Sequence, residues 1–445
     1  MCMRMRNERQ LRCIKMNSVL YRTWREFTVG LIFFFSSNDS NTTRVRSSTN
    51  FIHPDTLPLV PAAFQLPHQT ISRAKISSEM LLADPAVKYH KLFFQKMSPQ
   101  VLRDKPLAGH TSSSSEIITI TINNCGTRLV TSRTDKSLRI WKCQSDRIID
   151  PIIIEDAHSK AVESISWDPN SESTFATVGR DEYIKIWRGS TGALENVIKT
   201  PLQNLKLIRY SLDGELVIVV DRESNVLCFA TNQNYKIVNQ FKVLDYVYDL
   251  KWFNYKHEFF IMALHDGSVP VYKVTDTNER DEGGNSAGGG SGVDITSKTT
   301  LTGHRSSATS LSISPRGHYF TIGASEGVVS KWSTKSMVNS GVMTNIDEVV
   351  SSIDISHDGA FVAVSFDKDS NSIIYDLETC EELFQVPNSA SGDMTFSSIC
   401  WFPNKAAFAY SSDFGTTLSW MRKTDRGDRA ERVERGGGLT GPRRK

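Results

Sequence analysis

A histidine, a hydroxyl and two carboxylates lie near one another in one part of the sequence. The stretch GRDEYIKIW, residues 179–187, places Asp181 next to Glu182, and His158 and Thr177 precede them. A set of His, Ser or Thr, and Asp could supply the general base, the nucleophile and the orienting carboxylate of a hydrolase. Two adjacent carboxylates could instead share general acid and base roles. Either chemistry needs one unique site, so the number of times that the pattern occurs decides its meaning.

The same nine-residue pattern recurs along the chain. Seven such segments end in an aromatic residue, at Trp141, Trp187, Phe229, Tyr272, Trp332, Tyr375 and Trp420. These aromatic residues are 46, 42, 43, 60, 43 and 45 positions apart. The one long interval contains DTNERDEGGNSAGGGSG, residues 276–292, which has the composition of a flexible linker. A period of about 43 residues therefore runs through the chain.

Each unit of the repeat has the composition of four short β-strands. An alternating run such as EIITITIN is followed by a turn, an apolar strand such as ELVIVV, a tight polar turn and the strand that ends in the aromatic residue. A fourth, more variable strand closes the unit. Four strands in each repeat of this length predict an all-β fold, a seven-bladed β-propeller. The sequence after Trp420 has no good candidate for a fourth strand, whereas Val101–His110 resembles the end of one. We therefore expect an N-terminal strand to complete the last blade and close the ring.

The polar residues of the pattern also recur, and they degrade gradually from repeat to repeat. The predicted network residues are His110, Ser132, Asp135 and Trp141 in the first repeat, His158, Thr177, Asp181 and Trp187 in the second, and His304 and Trp332 in the fifth. In the fifth repeat Glu326 takes the Asp position. A catalytic site is needed only once. We therefore predict that these residues form buried hydrogen-bonded networks that hold the strands of a blade together, and that the chain has no catalytic residues.

Charge divides the chain into a body and two basic ends. Residues 1–50 carry nine Lys or Arg against three acidic residues, and residues 421–445 carry nine against four. Residues 51–420 carry 34 basic against 42 acidic side chains. We predict a largely disordered N-terminal extension at 1–95, a propeller at 96–421 with a flexible insertion at 276–297, and a basic Arg/Gly-rich tail at 422–445. An alternative for the N-terminal extension is a targeting segment.

The tail is the part of the sequence with the strongest potential for phosphate contact. Its arginines are Arg426, Arg429, Arg432, Arg435, Arg443 and Arg444. The tail has no aromatic residue on which a base could stack, so it lacks the pattern of a dedicated RNA-binding segment. Weak or indirect contact with RNA and a purely solubilising role both remain open for it.

Other chemistry has little support in the sequence. The seven cysteines form no Cys-x-x-Cys motif, and this pattern favours a reducing compartment without a zinc site or a disulfide framework. The strongest apolar run, Val29–Phe35, is much shorter than the ~20 residues of a membrane-spanning helix. No phosphate-binding glycine loop is present. We expect no cofactor, no metal, no membrane contact and no small-molecule substrate.

The units with Gly-His, Asp and Trp at this period resemble WD40 repeats over residues 100–421. Among WD40 proteins, residues 157–187, 204–229, 241–272, 350–386 and 396–411 are similar to blades of the WD-repeat subunits of the THO complex, which is part of the transcription-export (TREX) assembly. The Asp that usually follows the repeat Trp is replaced by Lys142, Arg188 and Ser333. The Trp-Asp-x-Arg pattern of ubiquitin-ligase substrate receptors is therefore absent.

The resemblance implies a non-catalytic nuclear scaffold that couples transcription to mRNA packaging and nuclear mRNA export. Its partners would be the other THO subunits and mRNA export factors. One alternative is a WD40 adaptor of another nuclear complex, either chromatin-modifying or histone-binding. A second alternative is an enzyme on a propeller scaffold. That function would need a single, non-repeating polar cluster at the central channel, and the sequence contains no such cluster.

Overall fold

Seven four-stranded antiparallel sheets form the blades of a β-propeller. The computed structural model describes residues 85–102, 107, 115–253, 258–276, 292–344, 346–367, 371–388 and 396–423. The inner strands of successive blades contact one another, and the inner strand of the last blade contacts that of the first. The prediction of a seven-bladed propeller is confirmed.

The blades follow one another in chain order, and only the last is built from both ends of the propeller sequence. The first strand, β1 (Met97–Leu102), belongs to blade seven. Blades one to three comprise β2 (Ile117–Ile122), β3 (Arg128–Arg133), β4 (Leu138–Cys143), β5 (Ile148–Ile154), β6 (Val162–Trp167), β7 (Thr174–Gly179), β8 (Tyr183–Arg188), β9 (Ala193–Lys199), β10 (Leu205–Tyr210), β11 (Leu216–Asp221), β12 (Asn225–Ala230) and β13 (Lys236–Lys242). Blades four to seven continue with β14 (Val247–Phe253), β15 (Phe259–Leu264), β16 (Ser268–Asp276), β17 (Val293–Thr302), β18 (Ala308–Ile313), β19 (Tyr319–Ala324), β20 (Val329–Ser333), β21 (Asn339–Met343), β22 (Val350–Ile355), β23 (Phe361–Phe366), β24 (Ile373–Asp376), β25 (Glu382–Gln385), β26 (Ile399–Trp401), β27 (Ala407–Ser412) and β28 (Thr417–Lys423).

Burial explains why the strand types differ in composition. The second strand of a blade packs against neighbouring blades on both faces, and all six residues of β11 are buried. Such a strand is a continuous apolar run, as in LVIVVD. The outer strand β9 has no buried residue, and its sequence ALENVIK is mixed. The outer strands are therefore the variable ones in the repeat.

The ring closes at blade seven, where β1 pairs with β28. Met97 lies opposite Lys423 and Leu102 lies opposite Leu418. The indole of Trp420 donates a hydrogen bond to Gln100 Oε1 at 3.0 Å. The prediction that an N-terminal strand completes the last blade is thus confirmed. The strand ends at Leu102, within the segment 101–110 that resembles a strand end, and it begins at Met97.

The inner strands share a local irregularity near their first residues. In blades one to six the pairing of the inner strand with the second strand shifts in register between its first and third residues, for example between Val162 and Ser164. A β-bulge of this kind bends a strand and increases its twist. The repeated bulge therefore shapes the inner strands where they enter the channel.

A short helix that the sequence reasoning did not predict packs against blades six and seven. The helix α1 (Pro85–Gln95) lies within the predicted N-terminal extension. Its Phe94 is fully buried and contacts the ring of Phe361 with centroids 5.0 Å apart. His90 Nδ1 lies 2.9 Å from Asp376 Oδ2. The end of the predicted extension is therefore part of the folded body, and residues 1–84 lie outside the described ones.

The predicted insertion at 276–297 needs a correction at its C-terminal end. Residues 293–297 belong to β17, which pairs with β16 over its whole length, from Val293 opposite Asp276 to Thr302 opposite Ser268. Threonine and β-branched residues in VDITSKTT suit a strand at the outer edge of a blade. The linker-like part of the insertion, 277–291, lies outside the described residues.

Candidate functional site

The hydroxyl of Thr177 lies at the centre of a buried polar chain in blade two. Its Oγ1 lies 2.8 Å from His158 Nε2 and accepts a hydrogen bond from Trp187 Nε1, also at 2.8 Å. The other ring nitrogen of His158, Nδ1, lies 3.0 Å from Asp181 Oδ2. Asp181 also accepts the backbone N–H of Tyr183 at 3.1 Å. The structure thus brings together all four residues predicted for this blade.

The donor and acceptor capacities of the groups assign a direction to this chain. An ionised carboxylate can only accept, so Nδ1 of His158 carries the proton and donates to Asp181. Nε2 then accepts from the hydroxyl of Thr177, which in turn accepts from the indole of Trp187. Burial raises the pKa of Asp181, but the hydrogen bond and charge of His158, together with the backbone N–H groups of Tyr183 and Ser159, outweigh burial and lower that pKa to about 2. The carboxylate is therefore ionised at neutral pH.

The positions of these groups do not suit hydrolysis. Thr177 is 0% exposed, and its hydroxyl is held by His158 and Trp187. A nucleophile must reach its substrate. The neighbouring Glu182 points away from the network and pairs with Lys199 at 3.1 Å. The geometry supports the interpretation of the network as a tie among the loop before β6, the strands β7 and β8, and the turn between them.

Blade five contains the same chain with its hydroxyl in a different place. His304 Nδ1 lies 3.2 Å from Glu326 Oε1, and His304 Nε2 lies 2.7 Å from Ser330 Oγ. The indole of Trp332 donates to the same Ser330 oxygen at 2.7 Å. The structure therefore brings His304 and Trp332 together, as predicted. Sequence reasoning missed Ser330, because the position that corresponds to Thr177 is Ile322.

In blade one the indole of Trp141 bonds to Thr131 and not to the predicted Ser132. Trp141 Nε1 donates to Thr131 Oγ1 at 3.4 Å, and the buried Ser132 Oγ has no hydrogen-bond partner among the described residues. Successive side chains of a strand point to opposite faces, so only Thr131 can face the indole. The count of ten residues between Thr177 and Trp187 would have identified Thr131.

The turn carboxylate of blade one is held by its own strand. Asp135 Oδ1 accepts the backbone N–H of Ser137 at 3.0 Å. Arg139, which is almost fully buried, donates through Nη1 to Ser137 Oγ at 2.7 Å and lies 3.5 Å from Asp135 Oδ2 through Nη2. Burial raises the pKa of Asp135, but the two hydrogen bonds from Ser137 and the charge of Arg139 give a net lowering. His110 lies outside the described residues, so its predicted contact with Asp135 stays a prediction.

Side chains of the inner strands tie neighbouring blades together around the channel. A hydroxyl or carboxylate on one inner strand accepts the backbone N–H of the next inner strand, at distances between 2.6 and 3.3 Å. The pairs are Ser164 with Ile208, Asp249 with Leu311, Ser310 with Ile353, Asp354 with Trp401, and Ser398 with Ile120. Sequence reasoning missed this set, although serines recur in VESISW, ATSLSI and VSSIDI.

The central channel contains a polar cavity of about 520 Å³. Arg209 and Asp249 face it and form an ion pair with an Nη2–Oδ1 distance of 2.9 Å. Asp354 also lines it. Burial raises the pKa of Asp354, although the backbone N–H of Trp401 partly offsets this effect. Arg209, Asp249 and Asp354 thus have hydrogen-bond partners within the propeller.

At one mouth of the channel the ammonium group of Lys206 lies over the rings of Tyr246 and Tyr248. The Nζ of Lys206 lies 3.8 Å from the ring centroid of Tyr246 and 4.8 Å from that of Tyr248. It also donates to the carbonyl of Val247 at 2.6 Å. Burial, followed by the nearby charge of Arg222, lowers the pKa of Lys206 to about 7. Lys206 thus occupies a position over both rings that a cationic ligand would otherwise take.

Three further expectations concern metal ligands, membrane-spanning helices and the basic tail. The described residues contain no group of three or more His, Cys, Asp or Glu that could hold a metal ion. None of the helices within the described ranges has both the length and the apolar composition needed to cross a membrane. The six tail arginines, Arg426 to Arg444, lie beyond the last described residue. Their contact with phosphate stays a prediction.

Comparison with known proteins identifies the repeats. The WD40 family (WD domain, G-beta repeat) matches residues 102–142, 150–188 and 295–333. These segments overlap blades one, two and five, which are the blades with the repeat Trp hydrogen-bonded to a hydroxyl.

Two curated relatives are matched over most of their own length. The chain is 24% identical to THO complex subunit 3 of Arabidopsis thaliana over 313 residues, which cover 70% of this chain and 90% of that protein. It is 21% identical to Protein TEX1 of Saccharomyces cerevisiae over 388 residues, covering 80% and 86%. A shorter match, 33% over 84 residues, is to COMPASS component SWD3 of the same yeast and covers 19% and 25%. The chain therefore carries WD40 repeats, folds as a seven-bladed propeller and is similar to THO complex subunit 3.

Proposed function

We propose that this protein is a non-catalytic scaffold subunit of a THO-type complex. In that role it docks the other THO subunits and mRNA export factors in the nucleus, and it couples transcription to mRNA packaging and export. The observation that carries the proposal is the similarity to THO complex subunit 3, which covers 90% of that protein. This similarity extends well beyond the three matched WD40 repeats.

The outer surface of blades one and two offers a place for such contacts. Ile149 and Ile152 on β5 and Leu194 and Val197 on β9 are all exposed. The turn at Gly192 lies against Ile152, where an added methyl group would be 3.0 Å from the Ile152 side chain. The apolar residues of the two outer strands therefore lie on adjoining parts of the rim. Exposed apolar groups in such an arrangement are typical of a protein interface.

RNA contact is a minor part of the proposed function. Over residues 51–420 acidic side chains outnumber basic ones by 42 to 34. A body of this charge repels a polyanion. Contact with RNA, weak or indirect, is therefore assigned to the two basic ends.

A WD40 adaptor of a chromatin-modifying or histone-binding complex is the second candidate. The match to COMPASS component SWD3 favours it, but that match covers only 25% of SWD3. A reader of modified lysine needs an open aromatic cage. Here Lys206 occupies the pair of Tyr246 and Tyr248. The occupied rings and the short match therefore support this candidate less than the match to THO complex subunit 3 supports a THO-type scaffold.

Affinity purification of the tagged full chain from nuclear extract, followed by mass spectrometry, tests the proposal. We expect to recover the large THO subunits and the export helicase. Recovery of a methyltransferase or ligase complex in their place would contradict the proposal. Ile152→Asp on the rim of blades one and two should reduce recovery if this rim is the docking surface. Val338→Asp, on the exposed rim of blade five, is the matched control.

A further inference from the structure

Two arginines at the mouth of the channel share a single carboxylate. Glu163, on the inner strand β6, accepts from Arg180 Nε through Oε1 at 2.6 Å and from Arg222 Nη2 through Oε2 at 2.8 Å. Arg180 lies in the turn after β7, and Arg222 lies in the turn after β11. The arginine side chains are 42% and 36% exposed, whereas that of Glu163 is 12% exposed. The arginine pair, Arg180 and Arg222, is thus oriented by a mostly buried acid and remains open to solvent.

The hydrogen-bonding capacity of the arginine pair is only partly used. A guanidinium has five N–H donors. Glu163 takes one nitrogen of each guanidinium, Arg180 Nε and Arg222 Nη2. Two guanidinium charges face one carboxylate charge, so the pair retains excess positive charge. Such a site is complementary to an additional anion.

Two aromatic rings lie near the arginine pair, because Tyr248 lines the same cavity as Glu163. The charges of Arg222 and of Arg180 both lower the pKa of Tyr246, although burial raises it and dominates. The Tyr246 and Tyr248 rings meet edge to face with centroids 5.0 Å apart, and both residues are half-buried. Leu244, in the same loop, is fully exposed. The site therefore combines a cationic centre with an apolar border.

We propose that the arginine pair binds a carboxylate side chain in a short acidic segment of a protein partner, and that neighbouring apolar residues of the segment pack on the Tyr246 loop. This inference rests on the proposed function, in which the chain acts by docking other proteins. A planar guanidinium binds a carboxylate in a fork geometry, with two parallel hydrogen bonds. Two guanidiniums held by Glu163 are preorganised to do so, because their side chains lose little freedom on binding.

Charge around the site favours an acidic peptide over a nucleic acid. The backbone N–H of Asp266 donates to Asp245 Oδ2 at 2.6 Å, so the acidic residues Asp245 and Asp266 are neighbours at the blade-four side of this face. A strand of RNA would bring one phosphate after another past them. A peptide needs to place only one or two carboxylates at the pair and can keep the rest of its chain apolar or neutral. A cationic site of only two guanidinium groups therefore suits a peptide better than a continuous polyanion.

Fluorescence anisotropy with the purified full chain tests the inference. The probe is a fluorescein-labelled peptide of glutamate and leucine residues. We expect the wild-type protein to bind it with an affinity that falls as salt is added. Arg180→Gln and Arg222→Gln should each weaken binding by about tenfold, which corresponds to the loss of one charge-assisted hydrogen bond. Arg188→Gln is the matched control, because Arg188 is an exposed arginine paired with Glu195 on the outer strands of blade two.

Thermal melting of each variant confirms that the site variants are folded before their binding is compared. Failure of the wild-type protein to bind the peptide, or equal binding by wild type and Arg222→Gln, would overturn the inference. Tighter binding of labelled single-stranded RNA, lost in Arg222→Gln, would also overturn it. The nuclear purification decides the proposed function separately. Recovery of THO subunits without peptide binding would reject only the inference, and peptide binding without THO subunits would reject only the proposed function.

Discussion

Blade two and blade five each connect a histidine ring to a carboxylate on one side and to a hydroxyl and an indole on the other. In blade two the hydroxyl is Thr177 on the second strand. In blade five it is Ser330 on the third strand. Thr177 lies opposite Lys185 in the strand register, and Ile322 lies opposite Ser330. In blade five the hydroxyl is therefore on the residue that faces the position equivalent to Thr177. Its partners are still a histidine and a tryptophan.

The two blades therefore share a hydroxyl oxygen between the histidine and the indole, but they take that oxygen from different positions in the repeat. Facing residues of paired strands lie close enough to place an oxygen in the same region. The carboxylates differ as well. The Asp181 side chain is 10% exposed, and the longer Glu326 side chain is 33% exposed. Blade two therefore has the drier network, and its groups should be the more costly to leave unpaired.

Thr177→Val should give the largest effect. It removes the partner of both His158 Nε2 and Trp187 Nε1 in a region that water does not reach. Each unpaired buried group costs about 1–3 kcal/mol, so the free energy of unfolding should fall by on the order of 2–4 kcal/mol. Urea unfolding measures this change. A loss below about 0.5 kcal/mol, the range of an ordinary surface substitution, would show that the hydroxyl is not a structural tie.

Ser330→Ala should have a somewhat smaller effect, about 1–3 kcal/mol, because the more exposed Glu326 gives water a route to His304. A second change tests the comparison directly. Ile322→Thr, added to Ser330→Ala, places a hydroxyl where blade two has Thr177. We expect the double variant to recover part of the lost stability. A simple sum of two destabilising effects would contradict the spatial equivalence of the two positions.

The two networks should respond to acid in different pH ranges. The pKa of Asp181 is lowered from 3.8 to about 2, so its contribution to stability is complete above pH 3.8 and is lost as the pH falls towards 2. Burial lowers the pKa of His304 below 6.5, although Glu326 partly offsets this effect. The unfolded chain then binds the proton more readily, and stability is lost as the pH falls below 6.5.

Unfolding of two variants across pH separates these contributions. Asp181→Asn should remove part of the pH dependence between about 4 and 2. His304→Gln should remove part of the dependence just below pH 6.5, the ordinary pKa of histidine. An unchanged pH profile in either variant would contradict the assignment for that blade.

Glu326→Gln should have the smallest effect, less than about 1 kcal/mol. The amide oxygen of glutamine can still accept from His304, and the lost charge is partly screened by solvent. Thermal melting of this variant beside Asp181→Asn measures the contrast. A larger loss for Glu326→Gln than for Asp181→Asn would reverse the ranking of the two networks.

Much of the fold could be predicted from the sequence because it depends on a repeated pattern. The period, the seven blades and the closing strand follow from strand composition and from the need to cover a sheet edge. The helix α1 was missed because its contacts, such as that of Phe94 with Phe361, join residues far apart in the chain.

The candidate site was less predictable than the fold. The blade-two network follows from residue types alone, but the blade-five hydroxyl depends on which residues face each other across two strands. Residue types do not distinguish Ser132 from Thr131, whose side chains point to opposite faces of one strand. The arginine pair could not be predicted, because Glu163, Arg180 and Arg222 come from two blades and meet only in the folded propeller.

The central claim is that residues resembling a catalytic set hold the propeller together, so that its surfaces can bind partners. Affinity capture by Asp181→Ala, well below its melting temperature, tests this claim most directly. We expect the variant to be less stable by on the order of 1–3 kcal/mol and to recover the same partner proteins as the wild type. A variant with the wild-type melting temperature that fails to recover those partners would contradict the claim.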